Sequence, residues 1–194
     1  MLEAGLTVVA VVLALTQPVP QVVRVLRAGS IAGLSGPTTW LGFVINLGWF
    51  AYGWAQGLLP VLVLSIAYVV GYGAIGALLV RHGNRSGLLA AGGAAAAGVL
   101  LVMTLGWTAL GTVLALAVGF QFLPQVLQAW RATDLSGLAP GTYLVAALDG
   151  LVWGGYGVVV GDGPLMLYGV VMCAVAVAVL IPCRRWSRRS ALVA

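Results

Sequence analysis

The sequence predicts an all-α integral membrane protein of seven transmembrane helices, built as two parallel three-helix repeats joined by a linker helix (3+1+3). Three observations predict it: a composition too apolar to face water, arginines confined to alternate loops, and a shift of 104 residues that lays one half of the chain on the other. Of 194 residues 62% are hydrophobic and 7% are charged, with a mean hydropathy of +1.10. A soluble domain carries roughly 25% charged residues. A membrane helix uses about 20 apolar residues to cross a hydrocarbon core about 30 Å thick. The whole of 1–194 is therefore expected to be one transmembrane domain with short loops.

Each span is bounded by turn and charge signals. The first, 5–27, carries Arg24 and Arg27 at its end and follows Glu3 rather than a basic segment, so it reads as a retained span and not a leader. The second, 37–56, closes in Gln56–Leu58, and the third, 59–80, runs into Arg81 and Arg85. No Asp, Glu, Lys or Arg interrupts the 53 residues from Ala28 to Val80, or the 45 from Ser86 to Trp130. The fourth span, 88–106, is rich in Ala and Gly and turns near Trp107 into the fifth, 109–131, which ends at Arg131. The sixth, 139–160, reaches the seventh, 164–183, through Gly161–Gly163, and Arg184, Arg185, Arg188 and Arg189 follow. On this map all nine basic residues, every one an arginine, fall on one side, while Glu3 and Asp162 share the other. By the positive-inside rule the N-terminus is expected outside and the C-terminus in the cytoplasm, in a plasma (inner) membrane.

The 104-residue shift superposes Gln17, Pro20, Gln21, Val22 and Arg27 on Gln121, Pro124, Gln125, Val126 and Arg131 without a gap. It continues through Gly33, Leu34, Thr38, Trp49, Tyr52, Gly53, Gly57 and Pro60 onto Gly137, Leu138, Thr142, Trp153, Tyr156, Gly157, Gly161 and Pro164. Scarce residues held in one register indicate a duplicated three-span unit, 5–81 and 109–185. Two odd-span units in direct succession would be inverted. The linker helix, 87–107, restores the direction and makes them parallel.

Val-Pro-Gln-Val at 19–22, Leu-Pro-Gln-Val at 123–126, and Trp-x-x-Tyr-Gly at 49–53 and 153–157, with 28 residues from each Gln to its Trp, carry a family resemblance. The chain resembles the PQ-loop family, and within it the SWEET and SemiSWEET sugar transporters and, more distantly, cystinosin-like amino-acid exporters. SWEETs are a known case of transporters built from parallel repeats. The resemblance implies a carrier that moves a small polar solute, sugar or amino acid, by alternating access, as a uniporter or linked to protons. A non-transporting membrane receptor or chaperone on the same fold is the alternative.

Pro20 and Pro124 lack the N–H that would bond the carbonyls of Thr16 and Phe120, so Pro20–Gln21 and Pro124–Gln125 are expected to form a hinge or a fixed kink. Positions 45, 49 and 52 share one helix face, as do 149, 153 and 156. Trp49 and Trp153 lie away from the headgroup belt, and the resemblance gives them the role of stacking on the solute; packing mass is the other reading. Asn46 completes the first face. Asp149 is the one ionisable side chain near mid-membrane, where a carboxylate costs at least about 2.5 kcal/mol. It is expected to bind solute, to couple protons, or to be a structural acid bonded to Asn46 or a Tyr. Tyr52, Tyr156 and Asp162 lie toward the outer end, where an outer gate is expected. The resembling sugar transporters carry Asn sixteen residues after each Trp; here those positions are Ser65 and Gly169, and Ser65 is retained as a candidate solute contact.

Gly53–Gly57, Gly157–Gly161 and the Gly-rich fourth span read as close-packing surfaces. Cys173 and Cys183 lack a metal-ligand spacing, and His82 sits in a loop among arginines. No nucleophile–base pair or phosphate loop is present, so neither enzymatic activity nor a metal or cofactor is expected. The expected partners are the lipid bilayer, the solute and, where transport is coupled, protons; nucleic acid is not expected.

Overall fold

The computed structural model describes residues 34–132, 134–135, 138 and 140–193, the last seven by backbone alone. Pro20, Gln21 and the first expected span lie outside these residues. Among the described residues there are six helices: α1 Gly36–Gln56, α2 Leu59–Arg81, α3 Leu88–Leu105, α4 Trp107–Arg131, α5 Pro140–Val160 and α6 Gly163–Val193. Lipid offers no partner to a backbone amide, so helices that bond their own backbone are the economical way across. Five of the six, α2 to α6, are long and apolar enough to span a membrane. α1 is 21 residues long, but four glycines and three tryptophans dilute its aliphatic content. Val70, Phe120, Leu151 and Val170 are more than 60% exposed, a pattern that suits hydrocarbon surroundings and not water.

The chain divides into two compact units between Leu114 and Ala115, inside α4. In the first, Ser35 caps α1 by accepting from the Thr38 N–H at 3.4 Å. Gly57 ends α1 at φ +69°, and the Leu58 N–H donates to the Gly53 carbonyl at 2.8 Å. A left-handed residue with that bond closes a helix and turns the chain. Pro60, at the first turn of α2, requires no donor there. α2 then packs along α1, with aromatic rings set into glycine notches: a Cβ on Gly42 would lie 2.6 Å from the Tyr72 ring, and one on Gly76 2.7 Å from the Trp40 indole. The His82 ring nitrogen Nδ1 lies 2.9 Å from the Leu78 carbonyl at the exposed end of α2.

The helix expected as a tight linker is largely uncovered. Of α3 only Ala91 is buried, and Cβ atoms on Gly92 or Gly93 would meet nothing within 4 Å. The glycine pairs also divide their work differently from expectation. Gly53 and Gly157 pack against the next helix, whereas Gly57 and Gly161 are left-handed turn residues with open space around them.

In the second unit, α5 and α6 form a hairpin whose turn repeats the first. Gly161 has φ +73°, and the Asp162 N–H donates to the Gly157 carbonyl at 2.8 Å. The helices touch backbone to backbone: a Cβ on Gly169 would fall 2.5 Å from Gly154 Cα and 2.6 Å from the Gly150 carbonyl oxygen. α6 runs unbroken through Pro182, which has no N–H for the carbonyl of Ala178, four residues back. The Trp130 indole Nε1–H, at the end of α4, donates to that carbonyl at 2.8 Å, and the Arg185 guanidinium lies 5.5 Å from the Trp130 ring centre.

Candidate functional site

The close seam of Gly150, Gly154 and Gly157 against α6 determines what neighbouring side chains reach. Asp149, beside Gly150, is 4% exposed. Tyr168, beside Gly169, extends across the seam, and its hydroxyl donates to Asp149 Oδ2 at 2.8 Å. The Trp153 side chain lies one turn further along α5. The carboxyl group is thus met by a neutral donor, which satisfies an acceptor that would otherwise be costly inside an apolar bundle. Of the expected structural partners, a tyrosine is the one observed; Asn46 bonds its own helix, donating to the Gly42 carbonyl at 2.8 Å.

Trp153 is buried and meets Tyr156 edge to face, ring centres 6.0 Å apart at 88°. The first unit repeats this pair with buried Trp49 and Tyr52, 5.7 Å apart at 86°. Ser65 is buried in α2, and Ile45 occupies the place that Asp149 has in the second unit. Trp49, Asn46, Tyr52 and Ser65 belong to the first unit, and Asp149, Trp153, Tyr156 and Asp162 to the second.

Asp162, expected at an outer gate, accepts from the Leu165 N–H at 2.9 Å. It is the N-cap of α6, a role its counterpart Leu58 cannot fill. Pro124 stands inside α4, which stays helical on both sides of it, and Gln125 Oε1 accepts from the Tyr143 hydroxyl at 2.9 Å. Pro124 lines a shallow groove with Leu127, Gln128, Arg131 and Ala132. Cys173 donates weakly to the Ala147 carbonyl at 3.7 Å, in keeping with a small filler. Among the described residues no three His, Cys, Asp or Glu side chains gather as a metal site would need.

Sequence reasoning missed two residues, Tyr168 and Tyr143. A signal for the first existed: the repeat register pairs Asp149 with Ile45 and Tyr168 with Leu64, so both members of the hydrogen bond depart from the first copy together. Tyr143 likewise replaces Thr39. No known family model matches the chain, and no curated protein sequence matches it.

Proposed function

We propose that the chain is a membrane transporter that moves a small polar solute, a sugar or an amino acid, by alternating access between two parallel PQ-loop-like repeats. The observation that carries this reading is the buried carboxyl of Asp149, met by the Tyr168 hydroxyl within a hairpin whose surroundings are otherwise apolar. An ionisable group kept at that depth marks a solute or ion pathway more often than a packing role. Trp49 and Trp153 offer aromatic faces for solute, Asn46 and Ser65 polar contacts, and Pro20–Gln21 with Pro124–Gln125 the bends of alternating access. In this reading seven spans in a 3+1+3 order leave the arginine-bearing ends in the cytoplasm. Gly169, in backbone contact with Gly154, has no room for the carboxamide of the resembling sugar transporters, which favours the amino-acid side of the reading.

The test is uptake into proteoliposomes of a panel of labelled sugars and amino acids, with and without an imposed pH gradient. The expected result is accumulation of at least one solute, reduced in Trp49→Ala and Trp153→Ala protein that still inserts and folds. A stacking face contributes about 1 kcal/mol, roughly fivefold in affinity. Absence of uptake across the whole panel overturns the transporter reading in favour of a receptor or chaperone.

A further inference from the structure

Two departures from the internal repeat fall on a single contact. Where the second unit has Asp149 and Tyr168, the first has Ile45 and Leu64, so a polar pair in one copy corresponds to an apolar pair in the other. The seam explains why the pair can form. Gly169 lets α6 approach until its backbone touches Gly150 and Gly154, and the side chain next to it in sequence spans the remaining gap to Asp149. A tyrosine hydroxyl has one proton to give, and here it goes to Oδ2.

We propose that Tyr168 is the positioning residue of Asp149, holding its carboxyl in the orientation from which it exchanges a proton, so that this proton site belongs to the second unit. This rests on the reading of Asp149 as a transport carboxyl. Among the described residues of the elements around the pair, the other titratable and charged groups are accounted for. On α5, Tyr156 packs against Trp153 and Tyr143 is bonded to Gln125. At the start of α6, Asp162 accepts from the Leu165 N–H; further along, Cys173 is bonded to Ala147, while Cys183, Arg184 and Arg185 lie more than three turns beyond Tyr168. On α4, Arg131 is the last residue. Asp149 is left as the group that can take up and release a proton at this level, and Tyr168 as the donor that follows it.

The experiment has two readouts on wild type, Tyr168→Phe, Asp149→Asn and the double variant, all reconstituted in lipid. Tyr168→Phe keeps the ring and removes only the donor. Infrared difference spectra across a pH titration identify the Asp149 carboxyl band as the one missing in Asp149→Asn. In Tyr168→Phe that band is expected to shift in frequency and to titrate at a displaced midpoint. In vesicles, gradient-driven accumulation should fall about threefold in Tyr168→Phe, the typical effect of one interhelical hydrogen bond in a bilayer. The double variant should match Asp149→Asn. A tyrosine that merely packs predicts lower thermal stability with an unmoved carboxyl band, and that result overturns the proposal. If wild type moves no solute, the transporter reading fails by itself, and the infrared arm still decides whether Tyr168 controls Asp149. Wild-type uptake with the same gradient dependence in Asp149→Asn overturns the coupling role of the pair.

Discussion

The hairpin α1–α2 and the hairpin α5–α6 share a backbone frame and differ in how they are joined. Both turn on a left-handed glycine, both place a proline in the first turn of the second helix, and both hold an edge-to-face Trp–Tyr pair. In the first, large rings enter glycine notches: Tyr72 at Gly42, Trp40 at Gly76 and Phe43 at Gly73. The corresponding pairs in the second are Ala176 with Ala146, Leu180 with Leu144 and Val177 with Ala147. Volume lost on one side of each contact is regained on the other, as close packing demands. The polar contacts diverge more. In the first hairpin Thr39 and Asn46 bond carbonyls of their own helix, at 2.9 and 2.8 Å. In the second, Tyr143, Tyr168 and Trp130 bond across to a neighbouring helix. The same fold can therefore be held by steric notches or by interhelical hydrogen bonds, and only the second kind leaves a buried acid with partners.

The largest effect that would break this comparison is expected at one matched position. Ser65 and Gly169 are 104 residues apart, and α2 accommodates a side chain where α6 has none. In lipid, helices associate through packing and not through expulsion of water, so a seam opened by one atom loses much of its attraction. Gly169→Ser puts a Cβ against backbone, which cannot rotate away, and a loss of about 3 kcal/mol or more is expected. Ser65→Gly should cost about 0.5 kcal/mol, the difference in helix propensity. Thermal unfolding in detergent compares the two, and equal midpoints would remove the seam from the account.

A second substitution sharpens the steric half. Gly76→Leu alone drives a Cβ to 2.7 Å from the Trp40 indole and should cost about 1–3 kcal/mol. Adding Trp40→Leu recreates the Leu144–Leu180 pair of the second hairpin. It sacrifices no hydrogen bond, since Trp40 Nε1 is buried without a partner among the described residues. The double variant should recover at least half of the lost stability. A double variant no better than Gly76→Leu would mean that the two hairpins do not solve the same volume problem.

Helix positions were legible in the sequence because span ends are written in Gly, Pro and Arg: the expected 37–56 and 59–80 are Gly36–Gln56 and Leu59–Arg81. The expected span 164–183 matches the apolar stretch Gly163–Trp186, and the helix itself runs on through the arginines to Val193. Within the site, Asp149 and the tryptophans stood out as rare residue types at unusual depth. Tyr168 did not, because its partner lies 19 residues earlier in sequence and on another helix, and helical periodicity says nothing about contacts across a turn. In sequence Gly169 reads only as the place of a missing carboxamide. Its role is steric, visible only once two backbones are brought together.

The smallest expected effect probes the polar half. Pro182 leaves the Ala178 carbonyl without its helical donor, and Trp130 supplies one from α4. Trp130→Phe keeps an aromatic ring under Arg185 but removes the N–H, so the Ala178 carbonyl loses its donor. Interhelical hydrogen bonds in membrane proteins average about 0.6 kcal/mol. A drop of that size is expected in detergent unfolding. Pro182→Ala separates this cause from ring packing: alanine returns an N–H to the helix, the Ala178 carbonyl regains its own partner, and Trp130→Phe in that background should cost almost nothing. The coupling is the difference between the two backgrounds in a double-mutant cycle. An equal loss in both would assign Trp130's contribution to its ring and to Arg185, and would leave the second hairpin with one fewer bond distinguishing it from the first.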